Sequence, residues 1–144
     1  MDLSRLPRFL GVLLVPVAGA LSCERAIIDD FGPVASLALL PTPYLDPPAV
    51  SSIAGNAFGF TSAITFPCAP YQLVPQAGRT GAIITLRIEG RQKDGCPQDV
   101  TGTISYRVDV VNVRSGTYQL RVIQAHREWA VPPDTVFAGQ LVVP

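Results

Sequence analysis

Three cysteines and a single histidine are the residues of this chain with the most specific chemistry. Cys68 and Cys96 lie well inside the chain, whereas Cys23 follows an apolar stretch near its start. In an exported protein oxidation is permitted, so Cys68 and Cys96 are expected to form a disulfide. By restricting the unfolded chain, this bridge would contribute about 3 to 4 kcal/mol of stability. Cys23 is then an odd thiol that needs a separate role.

The first residues have the pattern of a bacterial export signal. Arg5 and Arg8 supply positive charge, and a largely apolar run follows over residues 9–20. The run leads into Ala-Leu-Ser-Cys at residues 20–23, which resembles the lipobox of bacterial secreted lipoproteins. The resemblance implies cleavage before Cys23 and acylation of its thiol, which would anchor the protein to a membrane.

An ordinary cleavage site competes with the lipobox. Ala18-Gly19-Ala20 has the small-x-small pattern of signal cleavage, which would release a soluble secreted protein beginning at Leu21. Both sites stay open, whereas a retained membrane helix is too short, since about 12 residues at 1.5 Å each fall far below a hydrocarbon core of roughly 30 Å.

The resulting organisation is a signal, a tether and one domain. Residues 1–22 are interpreted as a signal peptide, 23–33 as a lipidated N-terminus with a tether, and 34–144 as a single domain. The predicted location is the cell envelope, lipid-anchored at the outer membrane or facing the periplasm, with a soluble secreted protein as the alternative.

Composition indicates a β-rich domain that does not bind nucleic acid. Lys and Arg total 11, balanced by 11 Asp and Glu, and the main basic cluster is Arg87, Arg91 and Lys93. Such a chain has little charge to neutralise phosphates. Its Val, Ile, Thr and Gly content favours strands over helices.

Alternation of apolar and polar residues predicts strands with one solvated face. It is clear in residues 58–66, 84–88, 104–110 and 118–122, while residues 135–143 are apolar on both faces and are expected to form a central or covered strand. About seven short strands joined by Gly and Pro turns predict an all-β, antiparallel, immunoglobulin-like β-sandwich with almost no helix. A small closed β-barrel is the alternative.

Residues 112–122 are predicted to form a tight antiparallel hairpin, with a turn at Arg114-Ser115-Gly116 followed by Tyr118. The segment resembles the turn-Gly-x-Tyr-x-Leu-x-Val hairpin of bacterial immunoglobulin-like, fibronectin type III-like and prealbumin-like domains. The resemblance covers roughly the last 45 residues and implies a fold class, with the tyrosine at the end of the sandwich, but no activity.

Catalytic and metal-binding patterns are sparse. A small hydrolase would need His126 as its base, yet the chain has no Gly-x-Ser-x-Gly elbow, and Glu128 is the acid nearest to the histidine in sequence. Two cysteines oxidised to each other cannot be thiolate ligands, and one histidine does not make a conventional zinc site. The sequence therefore predicts no catalytic residue, metal or cofactor.

The segment after residue 125 is the candidate binding loop. It begins His126-Arg127-Glu128-Trp129 and holds the only tryptophan, and Tyr71, on a loop opened by Cys68, could join it. Loops at the end of a sandwich commonly carry recognition, and Trp and Arg give large contact energies. The alternative is that Trp129 covers the open end of the core.

Three arginines, Arg87, Arg107 and Arg121, fall on the solvated faces of predicted strands. If those strands adjoin, the charges form ladders with Glu89 and Asp109 as cross-strand partners, and a binding site is the alternative.

Three functions follow. The favoured one is a non-enzymatic envelope lipoprotein, held at the membrane through Cys23, that binds a protein or glycan partner. The second is a structural or accessory subunit of an envelope complex, whose apolar final strand pairs with another chain. The third is a small hydrolase that uses His126.

Overall fold

The computed structural model of the protein describes residues 32–68, 71–92, 101–128 and 130–144. In these ranges the chain forms eight β-strands and no helix, so none of the described residues belongs to a helix able to span a membrane. The strands are β1 (Val34–Leu39), β2 (Ala49–Ile53), β3 (Ala57–Phe66), β4 (Tyr71–Thr80), β5 (Ile83–Gln92), β6 (Gly102–Val111), β7 (Gly116–His126) and β8 (Asp134–Val143).

The strands form two sheets packed face to face. The first sheet has the order β1-β6-β3-β2, and the second has the order β4-β5-β7-β8. Neither sheet closes on itself in the described part of the chain. The all-β sandwich is confirmed, and the closed-barrel alternative is wrong.

One pair in the second sheet differs from the expected antiparallel arrangement, because β5 and β7 are parallel. β6 lies between them in sequence but belongs to the first sheet. The chain thus leaves the second sheet, returns through the first, and re-enters the second beside β5 in its original direction. Alternating polarity shows that a face is solvated, but it does not identify the neighbouring strand.

The hairpin predicted for residues 112–122 is wrong for the same reason, since β6 and β7 lie in different sheets. The connection is an arch. Asn112 has a positive φ of 61°, and the buried Val113 donates its N–H to the carbonyl of Asn56 at 3.0 Å. Tyr118 is buried, and its hydroxyl donates to the carbonyl of Arg114 at 2.9 Å. The apolar Val113 directs the chain across the core.

The structure has eight strands where about seven were expected, and the alternating segments of the sequence do not include β2 or β4. β4 contains Pro75 and Gly78, which normally argue against a strand. It lies at the edge of the second sheet, where a missing N–H removes no ladder hydrogen bond. Tyr71 therefore begins a strand instead of lying on a loop. His126, also predicted in a loop, is the last residue of β7.

The final strand, β8, is at the opposite edge of the second sheet and is not central. It pairs with β7, and the register shifts between Val122 and Ile123, where Val136 is the extra residue. Phe137, Leu141 and Val143 face the core, whereas Val142 is 63% exposed. The prediction of a central or covered strand from apolar residues on both faces is therefore wrong: the outer face of β8 is exposed at Val142.

Residues 40–48, which include four prolines, form a crossover between β1 and β2 at opposite edges of the first sheet. Leu40 donates its N–H to the carbonyl of Ser105 at 2.9 Å, and Tyr44 donates its N–H to the Ser105 hydroxyl at 2.7 Å. Since Ser105 lies on β6, the crossover runs over the outer face of this sheet and buries that serine.

The core lies between the inner faces of both sheets. Phe60 of the first sheet and Phe137 of the second meet edge to face, with ring centroids 6.0 Å apart. Gln124 crosses the same interior, donating to the Tyr106 hydroxyl at 2.7 Å and to the carbonyl of Ala63 at 2.9 Å. Burial raises the pKa of Tyr106. The interior is thus apolar except where polar groups are paired, as burial requires.

The three arginine-bearing strands do not all adjoin, because Arg107 lies in the first sheet and Arg87 and Arg121 lie in the second. Arg107 donates to Asp109, two residues along its own strand, at 2.8 Å. Arg87 lies 3.6 Å from Glu89, also on its own strand. Residues two apart share a face of a strand, so these arginines reach acids along the strand instead of across it.

Candidate functional site

Two of the predicted binding residues come together at one end of the sandwich. Tyr71 begins β4 and His126 ends β7, and the Tyr71 hydroxyl is hydrogen-bonded to Nδ1 of His126. Phe66, at the end of β3 in the other sheet, stacks on Tyr71 with ring centroids 6.0 Å apart. We call Phe66, Tyr71 and His126 the end cluster; it joins both sheets where the core meets solvent.

Gly90 makes this arrangement possible. It lies on β5, paired with Leu73 of β4 on one side and with His126 on the other. A Cβ atom at position 90 would be 2.0 Å from the Tyr71 hydroxyl oxygen and 2.3 Å from the ring carbon that bears it. The tyrosine ring therefore lies directly across the glycine backbone to reach His126 on the next strand but one.

The two pKa shifts in the end cluster define its hydrogen bond. Burial, followed by the negative charge of Glu128, raises the pKa of Tyr71 to about 12. Burial lowers the pKa of His126 below its ordinary value of 6.5. At neutral pH the tyrosine is protonated and the imidazole is neutral, so the bond joins two uncharged groups.

Arg127 and Glu128 continue the chain beside the end cluster, and both are exposed. The backbone N–H of Arg127 donates to the carbonyl of Gly90 at 3.0 Å, and a carboxylate oxygen of Glu128 accepts the N–H of Gln92 at 3.1 Å. Both residues are thus held against the end of β5. The Arg127 side chain is exposed to solvent.

A charged group lies on the neighbouring part of β5. Glu89 accepts from Arg91 at 2.7 Å, and this hydrogen bond, with the charges of Arg91, Arg87 and Arg127, lowers the pKa of the carboxyl. Arg127 therefore lies close enough to Glu89 to affect its carboxyl, beside the arginines of β5.

The remaining predicted site residues are placed as follows. Cys68 is buried two residues after the end of β3. Cys23, Cys96 and Trp129 lie outside the described residues, so the lipidation site, the disulfide pairing and the tryptophan stay predictions.

Two members of the site were missed from the sequence, Phe66 and Gly90. Phe66 was assigned to the core face of its strand without a further role. Gly90 had a detectable signal, because an isolated glycine within an alternating strand often marks close approach of another group.

The end cluster offers ring faces for stacking and polar groups for hydrogen bonding. Nδ1 of His126 is engaged by the Tyr71 hydroxyl. Within the described ranges, no group of three or more His, Cys, Asp or Glu side chains is arranged to hold a metal ion.

Comparison with known proteins adds no identity. No protein family, curated protein or solved structure matches the chain.

Replacing Gly90 with alanine tests the close approach of Tyr71. We expect Gly90→Ala to lower the free energy of unfolding by about 1 to 3 kcal/mol, because the added methyl group displaces the tyrosine ring. In a Tyr71→Ala background the same change should cost much less, since the obstructing ring is gone. A double-mutant cycle by urea unfolding measures this coupling; equal costs in both backgrounds would contradict the geometry.

The lowered pKa of His126 predicts a pH dependence of stability. The unfolded chain binds a proton near the ordinary pKa of 6.5, whereas the folded chain resists it, so stability is fully present above that value and falls as the pH decreases. Between about pH 7.5 and 5.5 we expect a loss below about 1 kcal/mol, because the half-exposed ring is partly screened. His126→Gln should flatten this part of the profile; an unchanged slope in that variant would assign the effect to another group.

Proposed function

We propose that the protein is a non-enzymatic lipoprotein of the cell envelope, anchored through Cys23, whose sandwich binds a protein or glycan partner. The observation that carries the proposal is the export signal ending in the lipobox-like sequence at residues 20–23. The stacking of Tyr71 on Phe66 and its hydrogen bond to the only histidine of the chain support a binding role for this end of the sandwich.

The proposed binding surface is the end cluster together with Arg127, and Trp129 joins it as a prediction. Phe66, Tyr71 and His126 supply a rigid aromatic platform, and rigid side chains lose little conformational entropy on binding. Arg127 supplies exposed positive charge beside this platform. Stacking surfaces with an adjacent guanidinium suit sugar rings and the aromatic or acidic side chains of a protein.

We also propose that Cys68 and Cys96 form a disulfide, and that the domain has the immunoglobulin-like arrangement. Burial of Cys68 supports the first, since the export signal implies an oxidising compartment. The hydrogen bond from Tyr118 to the Arg114 carbonyl supports the second, because tyrosines of such sandwiches bond upstream backbone in this way.

A second candidate function is an accessory subunit of an envelope complex. The observation that favours it is the position of β8 at a sheet edge, with an exposed valine and ten residues available to an added strand. Extended segments commonly bind by adding a strand to such an edge.

Intact mass spectrometry of the full-length protein, exported in a two-membrane bacterial host, tests the anchor. We expect a triacylated chain beginning at Cys23, with a further gain of about 2 Da on reduction of the Cys68–Cys96 bridge. Cys23→Ala should abolish the acyl mass and release the protein from the membrane fraction. An unmodified chain beginning at Leu21 would refute the lipoprotein assignment.

Retention of envelope material tests the binding surface. We expect the anchored protein to retain either purified cell-wall glycan or a solubilised envelope protein fraction, offered separately, and Arg127→Ala to weaken retention at least about tenfold. Arg121→Ala is the matched control, because Arg121 is equally exposed but lies on the outer face of the second sheet. No retention by the unsubstituted protein, with no rise in its melting temperature, would contradict a binding function.

A further inference from the structure

The four sheet edges of this sandwich differ in how they are protected. β1 lies against β4, so these two edges close one side of the sandwich. β4 also contains Pro75 and Arg79, and β2 is only five residues long. Proline, charge, short length and coverage are the usual devices that prevent an edge from pairing with another chain.

β8 lacks these devices over most of its length. It has ten residues, contains no proline, lysine or arginine, and carries one charge, at Asp134 in its first position. In the part of the chain that the structure describes, no strand pairs with its outer side. The bulge at Val136 separates Asp134 from a regular segment, Phe137–Val143, that has no charge at all.

From this edge we infer that two copies of the protein pair through β8, antiparallel and centred on Gln140, to form one continuous eight-stranded sheet. The inference deepens the second candidate function by naming a second copy of this chain as the partner. Pairing about residue 140 uses all seven regular residues, whereas any other centre includes the bulge or shortens the ladder.

The side chains of this register are self-complementary. Phe137 would face Val143 and Gly139 would face Leu141, all on the core side of the sheet. On the outer side Ala138 would face Val142, and the two Gln140 amides would meet each other. Each pair lies on one face, as adjacent strands require, and a slip by one residue would oppose core and solvent faces.

Direct repulsion is absent from the same register, because the only charged residue of β8 lies beyond the paired segment. Two Asp134 carboxylates would sit at opposite ends of the joint. Pairing would also cover part of Val142, which is 63% exposed. Like charges placed directly opposite each other would oppose such an edge, and here there are none.

The first described residues lie at the other edge of the second sheet. Gly32 and Pro33 line a surface groove with Ala77, Gly78, Arg79 and Gly81, at the end of β4. β4 is the edge of the second sheet opposite to β8. Gly32 and Pro33 therefore do not cover the outer side of β8.

A cysteine at the centre of the joint tests the inference on the full chain. Directly opposed residues of antiparallel strands have Cβ atoms about 4.5 to 5.5 Å apart, close to disulfide reach. Gln140→Cys should therefore give several-fold more covalent dimer under mild oxidation than the unsubstituted protein, which measures the background from the native cysteines. Non-reducing gel electrophoresis measures the dimer.

Gln119→Cys is the matched control. Gln119 is also exposed and pairs with Gln140, but it lies one strand further in. Two such positions would be separated by three strand spacings, roughly 14 Å, which is too far for a disulfide. Equal dimer from both cysteine variants would overturn the inference, as would a cross-link from position 140 only to a different protein.

Val142→Lys in the Gln140→Cys background provides a second measurement. The lysine places charge in the joint without entering the monomer's core, because Val142 is exposed. We expect loss of the covalent dimer with an unchanged melting temperature; persistence of the dimer would contradict the register. Failure here would leave the anchor and the Arg127 surface untouched, since the mass and retention experiments do not depend on β8.

Discussion

The packing of two sheet faces against each other is the interaction on which the rest of this structure depends. Burial of apolar surface is worth roughly 25 cal/mol per Å², so each strand must place one apolar face toward the other sheet. The chain meets that requirement by switching sheets after β3, after β5 and again after β6. The parallel pairing of β5 with β7 and the arch at Asn112 and Val113 are consequences of those switches, not separate features.

The same packing decides which polar residues can perform a function. The Gln124 side chain enters the interior, where its amide nitrogen donates hydrogen bonds to the Tyr106 hydroxyl and the Ala63 carbonyl. These bonds are needed because a buried polar group without a partner is destabilising. His126, two residues further along the same strand, reaches the end of the core and bonds Tyr71. Gln124 thus links the two sheets, whereas His126 bonds to another strand of its own sheet. Groups available to a partner lie just beyond them, at Arg127 and Glu128.

The sequence was sufficient for the fold class because alternation is local, as in residues 58–66 and 104–110 of β3 and β6. It was insufficient for strand neighbours, which depend on distant partners: nothing near Tyr118 indicates that its strand pairs with β5 and not with β6. β4 was missed because Pro75 is acceptable only at an edge, and edge position is a property of the whole sheet. The contact of Tyr71 with His126 joins residues 55 apart in sequence, although their common neighbour Gly90 was visible as a glycine in a strand.

The start of the domain and the β8 edge, which we associate with a second copy, lie at opposite edges of the second sheet. The chain enters the domain beside the end of β4, whereas β8 is three strands away at the other edge. An anchor at Cys23, as we propose, would hold copies of the domain at one membrane surface. A ladder of seven residues is a small contact, and small contacts gain most from confinement, because tethering raises the effective concentration of the two partners without any new interaction. A lipid anchor and an unprotected edge strand are in this sense complementary: the first supplies the concentration at which pairing through the second becomes significant.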